Sequence, residues 1–198
     1  VVDQTERAMR AGSFAHQAFL ADGSREIWRT VQELDIFADF TLILDFYHAA
    51  EHLSKASEWI FGKGSEEARQ WYDRWRGKLL EEEGAARGLI RSVKRYRAQC
   101  RKGSARYTEL TKELGYFRAN VTKMDYATYR ADGIPISSGP VEAACKTIVG
   151  HRLKRSGMRW TSEGAQQILN LRVPLQSKRW DAFWNWYLQH TDQMAKAA

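Results

Sequence analysis

Cysteine is scarce in this chain, and long apolar runs are missing. The two cysteines, Cys100 and Cys145, do not have the spacing of a metal motif, so we interpret both as reduced thiols. No apolar stretch approaches the length of a membrane span, and the first residues do not have the pattern of a signal peptide. The sequence also has no internal repeat and no low-complexity tract. We therefore expect a cytoplasmic protein that has no membrane partner.

Basic and aromatic residues, in contrast, are abundant. Lysine and arginine number 31 against 24 aspartates and glutamates, which gives a net charge of +7 at pH 7. The sequence has eight residues each of Trp, Tyr and Phe, and its hydrophobic fraction of 43% suffices for a core. A chain of 198 residues forms one large domain, or one domain with a sizeable insertion. A basic chain favours anionic partners, with nucleic acid first and acidic membranes second.

Two short apolar runs alternate with two helical patterns at the start of the chain. Residues 16–21 and 40–44 are expected to form strands, because the first contains the apolar run 18–21 and the second is dense in apolar and β-branched residues. Apolar residues recur at helical spacing over residues 27–34, and a second helical pattern covers residues 47–61. Short links in the order strand, helix, strand, helix predict a parallel βαβ unit, so the fold class is α/β with a large helical share.

The rest of the sequence is helical in pattern, apart from an irregular stretch at 132–140. We expect three segments: residues 1–61 with the βαβ unit, residues 62–131 as a helical insertion, and residues 132–198 as C-terminal helices. Helices are predicted at residues 3–11, 66–82, 85–101, 105–114 with 116–123 (two helices or one bent helix), 140–153, 161–175 and 180–194.

Each apolar run ends in an aspartate, Asp22 in the first case and Asp45 in the second. Ligands gather outside the carboxyl ends of strands in α/β sheets, so both acids are candidate site residues. A third acid, Glu142, lies in the segment S-S-G-P-V-E. Taken singly, Asp22 also suits a turn, and Glu142 suits a helix N-terminus with Lys146 as its partner. Taken together, converging carboxylates bind a pair of divalent ions, and hard oxygen ligands select Mg²⁺ or Mn²⁺.

A basic run follows Glu142. Positions 146–159 hold six cationic or potentially cationic side chains. They suit a solvated helix end, and they also suit phosphate contacts that position DNA without reading its sequence; we prefer the second interpretation. The run consists of Lys146, His151, Arg152, Lys154, Arg155 and Arg159, with Trp160 beside it.

The letters H-A-A-E-H at positions 48–52 match H-x-x-E-H, the pattern of the inverted zinc proteases. In that pattern His48 and His52 would hold zinc, and Glu51 would be the general base. No third protein ligand stands out by spacing, and short matches are frequent by chance, so a zinc peptidase stays an alternative. The simpler hypothesis is a helix started by Asp45, with His48 bonded to it and His52 exposed.

Several segments together resemble the DDE transposases of the Mutator-like and ISKra-type insertion-sequence group. The matching segments are A-D-G-S-R-E-I-W, L-I-L-D-F-Y-H-A-A-E-H-L, Y-R-A-D-G-I-P-I-S-S-G-P-V-E and H-R-L-K-R-S-G-M-R-W-T-S-E-G-A, and W-D-A-F-W also fits. The resemblance covers nearly the whole chain, from about Ala18 to Trp184, and the segments are specific in combination.

The resemblance implies a partial RNase H-like catalytic core, interrupted by a large all-helical insertion. It makes Asp22 the family's second catalytic aspartate and Glu142 its catalytic glutamate, both of them ligands of two Mg²⁺ (or Mn²⁺) ions. Asp45 and His48 would form a D-x-x-H element that is structural or associated with DNA, although an alternative alignment makes Asp45 the metal ligand. The DNA-holding residues would be Lys146, Arg152, Lys154, Arg155 and Arg159.

The implied enzyme cleaves DNA at the ends of an insertion sequence and joins the freed 3′-hydroxyl to target DNA. It would act as a homo-oligomer on DNA, in association with the bacterial nucleoid. The family's first catalytic aspartate lies on a strand upstream of the second, and only Asp3 precedes Asp22 here. We therefore expect the C-terminal part of a catalytic domain, inactive in strand transfer by itself. A non-catalytic DNA-binding remnant is the remaining alternative.

Overall fold

The computed structural model describes residues 16–154 and 156–195 as mostly helical, with one two-stranded parallel sheet. The chain divides into two compact units, the first ending at Ser138 and the second beginning at Gly139. The predicted helix at 3–11 lies outside the described residues. The first unit contains β1 (Ala18–Ala21), α1 (Arg25–Glu33), β2 (Thr41–Leu44), α2 (Phe46–Phe61), α3 (Glu66–Glu81), α4 (Ala85–Ala98), α5 (Ala105–Asn120) and α6 (Tyr126–Ala131).

The parallel βαβ unit is confirmed. β1 and β2 pair in parallel with Ala18 opposite Thr41 and Ala21 opposite Leu44, and α1 forms the crossover between them. Ile43 and Leu44 are completely buried. Their burial fixes the register, because a shift by one residue would turn the apolar side chains to the opposite face.

Helix α2 lies at the centre of the core of the first unit. Its residues Ala49, Leu53 and Ala56 are fully buried and recur at three- to four-residue spacing, so one stripe of the helix faces inward. The small residues Ala49 and Ala56 leave room for close packing, and α2 packs against both α3 and α5. The helices from α3 to α5 confirm the predicted helical stretch, and α5 is one helix followed by a 3₁₀ turn at Val121–Lys123.

Helix α6 lies inside the predicted helical insertion at residues 62–131, but it is not among the individually predicted helices. It has six residues, which is too short for a periodic apolar pattern to stand out. Tyr126 is completely buried and Tyr129 nearly so, so packing against the core holds the helix in place. After α6 the chain is irregular up to Ser138, as expected from its Gly, Pro and Ser content.

The second unit is helical throughout its described residues. A continuous helical path runs from α7 (Gly139–Ala144) through a π-helical segment (Cys145–Gly150) to α8 (His151–Leu153), and α9 (Ser162–Gln176) and α10 (Trp180–Ala195) follow. None of the side chains whose burial is described in this unit is buried. Within the described part of the chain, no helix has the length and apolar character that a membrane crossing requires.

Candidate functional site

Asp22 and Asp45 follow paired strands at the same edge of the sheet. Ala21 is the register partner of Leu44, and the N–H of Asp45 donates to the carbonyl of Ala21 at 2.8 Å. The next residues of the two strands are therefore neighbours at the carboxyl edge. This edge is where α/β sheets place ligands.

The Asp45 carboxylate is engaged on both oxygens. Its Oδ1 accepts the N–H of Tyr47 at 2.8 Å and of His48 at 3.1 Å, and its Oδ2 accepts the N–H of Ser138 at 2.7 Å. Burial raises the pKa of Asp45, but the hydrogen bonds from Ser138, His48 and Tyr47 outweigh it and lower the pKa below its ordinary value. The carboxylate thus caps α2 and ties the end of the first unit to the sheet.

The Asp22 carboxylate is engaged less completely. Its Oδ1 accepts the N–H of Ser24 at 3.0 Å in a turn between β1 and α1, and the side chain is half-buried. Its second oxygen accepts no hydrogen bond from the described residues. Among the described residues, one oxygen of Asp22 is therefore not occupied by a hydrogen bond.

Tyr116 packs directly on the loop that carries Asp22. A methyl group placed on Gly23 would overlap the Tyr116 ring, so only glycine fits at this position while the ring stays in place. The Tyr116 hydroxyl is buried and has no hydrogen-bond partner among the described residues. Burial raises the pKa of Tyr116, and the nearby carboxylates of Asp22 and Glu113 raise it further, so the phenol stays protonated.

His52 joins α2 to α5. Its Nδ1 lies 2.6 Å from Oε2 of Glu113, and its ring stacks on Tyr116 with centroids 3.5 Å apart. Glu113 is buried, with 6% of its surface exposed, so His52 is the group that satisfies its carboxylate. The hypothesis of an exposed His52 is therefore wrong, because the ring is clamped between a carboxylate and an aromatic face.

The two histidines of the H-x-x-E-H letters have different surroundings. His48 Nδ1 lies 3.8 Å from Glu51 Oε2 on the exposed face of α2, whereas His52 turns toward Glu113. Across the described residues there is no group of three or more His, Cys, Asp or Glu that could hold a metal ion. This finding applies equally to a zinc site at His48 and His52 and to a carboxylate site at Asp22.

A cleft of about 660 Å³ opens beside Asp22, between α1 and α5. Gly23 lines it on one side, and His52 and Tyr116 line it on another. Trp28 and Lys123 also line it, and the Lys123 Nζ lies 4.8 Å from the centroid of the Trp28 ring. The cleft therefore combines aromatic faces with positive charge next to a strand-end carboxylate.

The remaining predicted site residues belong to the second unit. Glu142 lies in the first turn of α7, which begins at Gly139, one position before the predicted Pro140. Arg152 lies over the Trp160 ring at 5.7 Å from its centroid. The prediction on Arg155 lies outside the described residues. The predicted DNA-holding residues that are described as exposed are Lys146, Arg152, Lys154 and Arg159.

Arg172 has a structural role that the sequence does not signal. Its Nε donates to the carbonyl of Ile148 at 2.9 Å, and one terminal nitrogen donates to the carbonyl of Thr147 at 2.8 Å. It therefore joins α9 to the π-helical segment inside the second unit.

Glu113, Tyr116 and Lys123 do not stand out in the sequence by motif. A weaker signal was present for Glu113, since it falls in the same stripe as Leu110 and Leu114, which are buried. A charged residue in an apolar stripe indicates a buried partner. Its partner, 61 positions away, could not be identified without the fold.

Comparisons with protein-family models, with curated proteins and with solved structures give no match.

Proposed function

We propose that the chain is part of the catalytic domain of a DDE-type DNA transposase, with the βαβ unit as a portion of an RNase H-like core. The intact enzyme would cleave DNA and transfer the freed strand to a target by phosphoryl transfer. The resemblance of the motifs suggests this class. The basic composition of the chain is in keeping with DNA as the partner.

The main support for the proposal is the arrangement at the carboxyl edge of the two parallel strands, β1 and β2. Asp22 follows β1 at this edge with one carboxylate oxygen that no described residue binds, and a cation-lined cleft opens beside it. A strand-end carboxylate beside a positive cleft suits an anionic substrate that is handled through a metal.

The geometry also bears on the two alternative alignments with the family, one of which makes Asp22 the metal ligand and the other Asp45. The Asp45 oxygens are occupied by three backbone N–H groups, so a metal would have to displace hydrogen bonds that start α2 and hold Ser138. The second oxygen of Asp22 accepts no hydrogen bond from the described residues, so a metal could bind it without displacing one. We therefore assign Asp22 as the metal ligand, and Asp45 with the backbone of His48 as the brace of the strand–helix junction.

Asp22 would bind Mg²⁺ or Mn²⁺, because carboxylate oxygens are the ligands that these hard cations prefer, and the resemblance implies Glu142 as a further ligand. Bound there, the ions would polarise a phosphate and activate a water or a 3′-hydroxyl. The first unit's own contribution is to hold the strand end: the Asp45 carboxylate accepts the N–H of Ser138 and so keeps the end of this unit at the sheet edge.

The proposal is tested by Mn²⁺ titration, followed by the electron paramagnetic resonance signal of free Mn²⁺, in the presence of a short DNA duplex. We expect binding by the unmodified chain and a loss of at least about tenfold in affinity in Asp22→Asn and Glu142→Gln, since each removes a ligand charge. Asp39→Asn, an exposed aspartate before β2, is the matched control and should bind as the parent does.

Equal Mn²⁺ affinity in the parent and in Asp22→Asn would overturn the assignment. Stoichiometric zinc in the purified protein that is lost in both His48→Ala and His52→Ala would favour the peptidase instead.

A further inference from the structure

The charged side chains that line the cleft beside Asp22 are lysines and arginines. Arg25 and Arg29 enter it from α1, Lys112 from α5 and Lys123 from the 3₁₀ turn. Among its described lining residues there is no aspartate and no glutamate. A cleft lined by one sign of charge concentrates ions of the opposite sign.

Two of these cations have carboxylate partners at the rim. Arg29 Nε lies 3.8 Å from Glu33 Oε1, and Lys112 Nζ lies 2.5 Å from Glu109 Oε1. Both cations are largely exposed, so these pairs are weak and exchange readily. For Arg25 and Lys123, no carboxylate oxygen of the described chain lies within 4.0 Å.

Lys123 is unusual because it is buried. Only 7% of its surface is exposed, and its Nζ contacts the Trp28 ring and lies 3.5 Å from the carbonyl of Ala119. Burial lowers its pKa. A buried cation with a ring and a distant carbonyl as partners is costly to maintain, and an anion in the cleft would offset that cost.

We propose that this cleft binds a phosphate group of a nucleic-acid strand, with Arg25 and Lys123 as its principal ligands. Arg25 offers the planar guanidinium that matches phosphate oxygens, and Lys123 supplies a buried point charge. Gly23 lines the same cleft, so a strand bound there runs past the loop of Asp22. The phosphate site follows from the cleft itself, and only its assignment to a nucleic-acid strand rests on the proposed function.

The test measures binding of a fluorescein-labelled DNA duplex by fluorescence anisotropy in EDTA, between about 50 and 200 mM salt. Arg25→Ala should weaken binding by about three- to tenfold and reduce the salt slope by about one, because one phosphate contact is lost. Arg25→Lys should recover part of the affinity. Lys94→Ala, which removes one exposed charge from α4 away from the cleft, is the control and should change affinity less than about twofold.

Lys123→Met separates binding from folding. It keeps the apolar stem and removes a buried charge, so thermal stability should stay the same or rise while DNA affinity falls about threefold or more. Inorganic phosphate serves as a competitor. Displacement of the duplex by millimolar phosphate from the parent, but not from Lys123→Met, supports a phosphate site in the cleft.

Equal effects of Arg25→Ala and Lys94→Ala on affinity and salt slope would overturn the proposal, as would unchanged affinity in Lys123→Met. Because EDTA removes divalent metal, this result is independent of the Mn²⁺ titration. If Asp22→Asn leaves Mn²⁺ affinity unchanged while Arg25→Ala still weakens DNA binding, only the proposed function is refuted. If Asp22→Asn loses Mn²⁺ while Arg25→Ala binds DNA like the control, only the phosphate site in the cleft is refuted.

Discussion

Asp22 and Asp45 hold equivalent positions at the ends of paired strands, yet their carboxylates have different partners. Three backbone N–H groups bind Asp45, and one binds Asp22. A carboxylate that accepts several backbone hydrogen bonds is committed to its charged form and to one place in the fold. A carboxylate that has one oxygen without a hydrogen bond can still bind a ligand. Asp22 and Asp45 can therefore have different roles although they lie next to each other.

Asp45→Ala is expected to destabilise the protein by about 3 kcal/mol, because it leaves the N–H groups of Tyr47, His48 and Ser138 without their acceptor. Chemical denaturation monitored by circular dichroism measures the change. Asp39→Ala, which removes an exposed aspartate, should stay within about 0.5 kcal/mol of the parent.

The stability that Asp45 supplies should depend on pH. Its pKa is lower in the folded state than in the unfolded state, so the contribution is complete above the unfolded value near 4 and is lost as the pH falls through the lower folded value. Denaturation at a series of pH values should show that the gap between the parent and Asp45→Ala narrows below about pH 4. A gap that stays constant down to pH 2 would contradict this account.

Gly23→Ala is expected to destabilise the first unit by about 1–3 kcal/mol, because the added methyl group overlaps the Tyr116 ring, which is itself held by the stacked His52. Gly77→Ala, within α3, is the matched control. Its added methyl meets no atom within 4 Å, so helix propensity should make that variant up to about 1 kcal/mol more stable.

A double-mutant cycle locates the cause of the Gly23 effect. Replacing Tyr116 by Ala should cost less in the Gly23→Ala background than in the parent, because the overlap is then removed. Strict additivity of the two changes would show that the ring is not what limits position 23.

Among the helices, α2 and α5 are joined by apolar packing and by two polar contacts: the His52–Glu113 pair, and a hydrogen bond that a terminal nitrogen of Arg106 donates to the carbonyl of Ile60. His52 reaches from α2 to Glu113 on α5 and stacks on Tyr116 of the same helix. The surrounding contacts come from buried residues such as Leu53 and Leu110. The His52–Glu113 contact therefore restricts how α2 can shift along α5, because such a shift would break it.

His52→Ala is expected to destabilise the protein by about 2–4 kcal/mol, since it leaves the buried Glu113 carboxylate without its partner. His48→Ala offers a close control, because it lies one turn earlier on the same helix and its partner Glu51 is exposed. That variant should change stability by less than about 0.5 kcal/mol. Thermal denaturation of both measures the difference, and equal losses would refute the role given to the His52 contact.

Across the whole molecule, buried side chains are concentrated in the first unit. Its core contains completely buried residues from β2, α2, α4 and α5, whereas no described side chain of the second unit is buried. Because hydrophobic burial supplies most of the free energy of folding, the two units should differ in local stability.

Amide hydrogen exchange should reveal this difference. The amides of α2 and α5 are expected to exchange slowest, and those of α9 and α10 at least about tenfold faster, because local opening of α9 and α10 exposes little buried surface. Mass spectrometry of peptides from each helix measures the rates. Equal protection of α9 and α2 in the free protein would contradict the assignment of the main core to the first unit.

Most of the secondary-structure elements follow from local sequence. Apolar density predicted β1 and β2, the order of strands and helices with short links predicted their parallel pairing, and helical periodicity predicted α2 to α5 to within about three residues. These features depend on neighbours close in sequence. The short helix α6 escaped prediction because packing of Tyr126 and Tyr129, rather than periodicity, maintains it.

The contacts of the acidic and basic residues depend on the tertiary fold. The sequence placed Asp22 and Asp45 at strand ends, but only the fold brought Ser138 to Asp45 across 93 positions and Glu113 to His52 across 61. It likewise assembled the cationic cleft from α1, α5 and the turn at Lys123. Hydrogen bonds and ion pairs form between atoms a few ångströms apart, and distance in sequence says little about distance in space once helices have packed.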